Sequence, residues 1–77
     1  MVEFDRAEFK KWMKLLDYTQ KDLIPVIDHV YGYQISYSNL SKAINGHINF
    51  TLHLALIIVD ILEVPMEQLF TVKKIDI

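Results

Sequence analysis

Apolar residues recur at helical spacing along most of this chain, and each run opens with the same N-terminal grammar. Phe9, Trp12, Met13 and Leu16 mark one side of a first helix, while Lys10, Lys11 and Lys14 lie away from it. Asp5 is placed to cap that helix, with Glu8 three residues on and Phe4 spaced to staple Phe9 across the cap. The pattern returns with Thr19 as cap, Asp22 at the third position and Tyr18 set to staple Leu23. It returns in part at Ser36, with Ile35 set to staple Leu40. Three starts of one type predict an all-α fold, with no strand alternation before the C-terminal end.

A fourth helix is expected to begin near Asn49 or Thr51 and to run to about Glu63. It is apolar nearly all round, so it must be buried on two sides; it can pack centrally within one small domain, and part of it can also meet a second subunit. Leu54, Ile57 and Ile61 are its candidate dimer-interface residues. Pro65 suits the first turn of a fifth helix over 66–70. The tail over 71–77 is too short to fold alone; Val72 and Ile75 can dock on the core or pair as a strand with a second copy.

Composition narrows the class. The 77 residues make a single domain over 1–77, and the 52% apolar share implies either a very full core or a buried protein interface. There is no cysteine, and His29, His47 and His53 have no nearby carboxylate at metal-ligand spacing, so no metal or cofactor is expected. The N-terminus is charged from Glu3 onward, unlike a signal peptide, and the apolar run over 54–59 is too short to cross a bilayer. A cytoplasmic protein that does not enter a membrane is the expectation.

Net charge is −2, which taken alone disfavours nucleic acid. Its distribution reverses the argument. No carboxylate falls between Asp28 and Asp60, and that interval holds Lys42 and all three histidines. A phosphate-facing surface requires such a gap, although apolar core plus a polar loop also produces one. Catalysis is disfavoured, because there is no phosphate-cradling glycine loop and no nucleophile with a matched base. Ser36 and His47 stand at opposite ends of one helix.

The acid-free interval contains the stretch Ile-Ser-Tyr-Ser-Asn-Leu-Ser-Lys-Ala-Ile-Asn-Gly over 35–46. It starts on a capping serine, presents short polar side chains on one face and stops at glycine, the layout of a helix that reads bases in the major groove. Lysine can donate to guanine O6 and N7, and serine and asparagine serve base edges or phosphates. Tyrosine can meet a thymine methyl or a phosphate.

Thr19-Gln20 followed by Leu23, Ile35-Ser36 followed by Leu40-Ser41, Asn45-Gly46, and the ending Leu62-Glu63-Val64-Pro65-Met66-Glu67-Gln68-Leu69-Phe70 stand in a telling order. Over 9–70 the chain resembles the Cro and CI repressor-type helix-turn-helix family of temperate phages and mobile elements, also called the Xre family. The resemblance implies a five-helix lambda-repressor-like DNA-binding domain in which the second and third helices form the motif. It implies that Tyr37, Ser38, Asn39 and Lys42 read bases, and that Gln20, Ser36, Asn45, His47 and Asn49 contact the DNA backbone.

Each of these residues also has a plainer role. Ser36 is an N-cap with or without DNA, Tyr37 can cover apolar surface, Asn45 and Gly46 can end the helix, and His47 can be a surface residue.

One segment departs from the family pattern. The stretch between Leu23 and Ile35 is longer than the family's supporting helix and turn, Ile24 stands where alanine is usual, and Pro25 interrupts the helix. The supporting helix is therefore expected to kink at Pro25 or to break and resume over 26–31. An enlarged connection to the third helix, with Tyr31 and Tyr33 exposed, follows from this reading. It can shift the recognition helix, add a backbone contact or form a protein-binding knob.

Two functions fit. One is a transcriptional regulator that binds a palindromic operator as a homodimer, since one lysine on the reading helix gives a lone domain little affinity. The other is a protein-interaction module on the same fold, antirepressor or antitoxin-like, that meets a partner through Tyr31, Tyr33 or the fourth helix.

Overall fold

The structure, a computed structural model, describes residues 2–72. In chain order it consists of β1 (Val2–Phe4), α1 (Arg6–Leu15), α2 (Gln20–Tyr31), α3 (Tyr37–Ile44), α4 (Leu52–Leu62), α5 (Met66–Leu69) and β2 (Phe70–Val72). The fold is mostly helical, as the periodicity predicts, and is closed at one end by a two-stranded sheet.

Capping chemistry sets the helix starts. Asp5 accepts from the Glu8 N–H at 3.0 Å, and the Phe4 and Phe9 rings lie 5.3 Å apart across that cap as the staple requires. Phe9 and Met13 are buried and Trp12 is half-buried. Leu16 does not join them: it is the C-cap of α1 and is 43% exposed, because the chain turns away at Asp17 with φ at 57°. Tyr18 takes its place against the core.

A reciprocal capping box opens α2. Thr19 accepts from the Asp22 N–H, and the Asp22 carboxylate accepts from the Thr19 N–H at 2.9 Å. That backbone hydrogen bond, aided by the Thr19 hydroxyl, holds the Asp22 carboxyl below its ordinary range.

Of the two outcomes open at Pro25, the break does not occur, for α2 runs from Gln20 to Tyr31 with the proline inside it. Proline withholds one N–H, so the Lys21 carbonyl forgoes its usual helical donor, on an exposed residue where water can replace it. Gly32 then ends the helix at φ 66°, its N–H donating to the Asp28 carbonyl while Tyr33 donates to Ile27. The extra residues therefore lengthen α2. The connection to α3 spans only 32–36, which corrects the expected enlarged turn.

Tyr31 and Tyr33 are likewise not an exposed knob. Both are half-buried against the core. The Tyr31 hydroxyl donates to the Asp60 carboxylate, the Tyr33 hydroxyl pairs with Thr51 Oγ1 at 3.2 Å, and the Tyr33 ring meets His53 edge-on. Together they bind the end of α2 to α4.

Helix α4 starts on Thr51, whose hydroxyl accepts from the Leu54 N–H at 3.1 Å. Its Leu54 and Ile57 are each 3% exposed, inside the monomer's own core, so they cannot form the dimer interface assigned to them; Ile61 is half-buried. The apolar residues that α4 shows to solvent are Leu52, 73% exposed, and Leu56, 49% exposed.

Phe70 leaves α5 and enters β2, which pairs antiparallel with β1 in the register Val2 with Val72 and Phe4 with Phe70. The start of the tail thus finds its strand partner within its own chain, not in a second copy. Val72 faces outward from that pairing, and Ile75 lies outside the described residues. The pairing brings Phe4 to 5.1 Å from Phe70 and 4.5 Å from Phe50, an aromatic clasp joining both chain ends to the loop before α4. Beneath it, Phe9, Leu23, Ile27, Leu40, Ile44, Ile58 and Leu69 are fully buried. Truncating one such side chain typically costs about 2–5 kcal/mol. Among the described residues no helix is long and apolar enough to cross a membrane.

Candidate nucleic-acid interface

Helix α3 is built to show one face. Ser36 caps it, accepting from the Asn39 N–H at 3.1 Å, and Leu40, Ala43 and Ile44 bury the opposite side against the core that holds Leu23 and Ile27 of α2. At 100° per residue, Ser38, Lys42 and Asn45 then fall on a single stripe directed away from that core. All three are exposed. Tyr37, 51% exposed, and Asn39, also exposed, lie on opposite flanks of the stripe.

The base-reading set predicted from sequence is thus divided. Ser38 and Lys42 share the central stripe with Asn45, which sequence reasoning assigned to the backbone. Ser41, not singled out before, lies beside them and accepts from the Asn45 amide at 3.2 Å, which fixes that side chain on the helix end. Asn39 lines a cleft of about 470 Å³ with Asn49, Ser36 and Gln34. Asp28 of α2 lines the same cleft. The gap in carboxylates along the sequence is therefore incomplete in space: α2 returns one acid to the Asn39 flank, where it opposes a phosphate.

The proposed backbone contacts differ in what they can offer. The Ser36 hydroxyl accepts as a cap and keeps its own O–H to donate. His47 and Asn49 are exposed on the loop that follows Gly46, where φ is 81°. Gln20 is different. It opens α2 half-buried, and its Oε1 is buried without a hydrogen-bond partner among the described residues.

A second cleft, of about 620 Å³, runs between the start of the chain and the loop after α3. Its floor includes Phe4, Phe50 and Phe70, and its rim carries Arg6, Glu3, Asn45 and Asn49. Arg6 gave no signal in the sequence as a site residue, being far from α3 along the chain. It follows β1 directly, and the Phe4 ring of that strand packs on Phe50 of the loop before α4. Among the described residues, no group of His, Cys, Asp or Glu is arranged to hold a metal ion.

No protein-family model, no curated protein and no solved structure matches this chain.

Proposed function

We propose that this chain is a sequence-specific double-stranded DNA-binding regulator of the Cro and CI repressor type, which lays α3 in the major groove. The observation that carries the reading is the exposed Ser38, Lys42 and Asn45 stripe on a short, capped helix whose opposite face is locked into the core. Such a helix holds its donors rigidly, and its side chains are short enough to reach base edges without large loss of side-chain entropy. Lys42 supplies the guanine-directed donor, Ser38 and Asn39 the adaptable polar contacts, and Tyr37 an apolar face for a thymine methyl. Gln20, Ser36, Asn45, His47 and Asn49 are the proposed phosphate contacts.

One such helix gives a single half-site and few phosphate contacts, so the regulator acts as a homodimer on a palindromic operator. With Leu54 and Ile57 committed to the core and Ile61 on that same side of the helix, the exposed Leu52 and Leu56 of α4 are the surface proposed for the second copy. The same exposed leucines, with Asp28 beside Asn39, favour the second reading: a protein-interaction module with little DNA binding.

Lys42→Glu separates the two. Loss of DNA binding with oligomeric state and helicity intact supports the regulator. Binding of a protein partner that survives Lys42→Glu but fails on Leu56→Asp supports the interaction module.

A further inference from the structure

The loop after α3 is a poor place for an anion when judged by its backbone alone. The amides of Asn45, Gly46, His47 and Ile48 all turn inward and donate to the carbonyls of Ser41, Lys42 and Ala43 at the end of α3. None of these N–H groups is left for a phosphate. A helix C-terminus also carries the negative end of the helix dipole, which repels one. Lys42 in the last turn of α3 is assigned to base edges in the proposed reading, so a phosphate held here calls for a second positive charge.

Arg6 is at hand. It lines the cleft beside this loop together with Asn45 and Asn49. Its position in its own helix does not explain it, because a cation in the first turn of α1 opposes the dipole there and Asp5 already caps that turn. We infer that Arg6 grips a DNA backbone phosphate at the edge of the loop after α3, with the Asn45 and Asn49 amides as supporting donors. A guanidinium suits this role, since its fork matches two phosphate oxygens. The inference rests on the regulator reading and adds to it an anchor from the opposite end of the chain.

The test compares wild type, Arg6→Gln and Arg6→Lys on a selected operator duplex and on an unrelated duplex, across a salt series, with circular dichroism as the folding control. Arg6→Gln is expected to weaken both duplexes by the same factor and to flatten the salt slope by about one per protomer. Arg6→Lys restores the slope in large part. A folded Arg6→Gln protein with unchanged slope overturns the inference while leaving the regulator reading intact. Weakening confined to the operator also overturns it, for that marks a base contact. If wild type binds no duplex at low salt, the regulator reading itself falls, and Arg6 with it.

Discussion

The Tyr31 hydroxyl donates to the Asp60 carboxylate, joining the last turn of α2 to the last turns of α4. This contact, with the pairing of Tyr33 and Thr51, fixes the helix that props α3 against the helix that follows it.

The tie makes stability sensitive to alkali. Donation to Asp60 pushes the Tyr31 hydroxyl from 10.0 up to about 12. A raised value stabilises the fold fully below the unfolded value and loses that contribution as pH climbs through the folded one. Between pH 10.0 and about 12 the denaturation midpoint of wild type should therefore fall more steeply than that of Tyr31→Phe. Parallel profiles would show that the hydroxyl contributes nothing.

Ser36 has two assigned roles that substitutions can part. Ser36→Ala removes the cap of α3 and should cost about 1 kcal/mol in chemical denaturation. Ser36→Asp keeps the cap, so stability should hold while DNA affinity drops through repulsion of phosphate. Equal DNA affinity for Ser36→Asp and wild type would remove Ser36 from the interface.

Gln20 carries a buried oxygen with no hydrogen-bond partner among the described residues. Replacing such a group by an apolar one of similar shape is nearly neutral or stabilising, so Gln20→Met should leave the melting midpoint unchanged or raise it. A clear fall would mean that the amide makes a stabilising bond. A loss of DNA affinity at unchanged stability would place its Nε2 on a phosphate.

Neighbouring positions on α4 should respond oppositely to charge. Ile57→Asp buries a carboxylate in the core and is expected to unfold the chain. Leu56→Asp should fold and sediment as a monomer. A dimeric Leu56→Asp protein would move the interface away from the exposed side of α4.

The helix starts were legible because each rests on a local rule. Asp5, Thr19, Ser36 and Thr51 all cap as their side chains and neighbours require, and the boundaries follow within a residue or so. Gly46 was readable as a stop for the same reason. Pro25 left a kink and a break equally open because its penalty is local, whereas the burial of Leu23 and Ile27 on either side of it holds α2 together. Tertiary packing outweighed one lost hydrogen bond.

What the sequence concealed depends on long-range placement. Strand β1 is only three residues long, too short for its apolar-polar-apolar alternation to signal a strand, and only its pairing with β2 gives it form. With β1 hidden, the approach of Arg6 to Asn45 and Asn49 was hidden too. The same holds for Asp28, which periodicity put on α2 but which only packing puts beside Asn39. For α4, a face apolar nearly all round cannot tell which leucines meet the core. Geometry assigns Leu54 inward and Leu56 outward.

The central claim is that α3 reads a DNA sequence as one half of a symmetric pair. Selection of bound molecules from a random-sequence duplex pool, with the mass of the complex recorded on the same sample, tests it most directly. The account predicts enrichment of a palindromic site by two copies of the chain, with half-sites about one helical turn apart or a multiple of it. Failure of the folded protein to enrich any sequence at low salt would contradict it and leave a protein partner as the object of this surface.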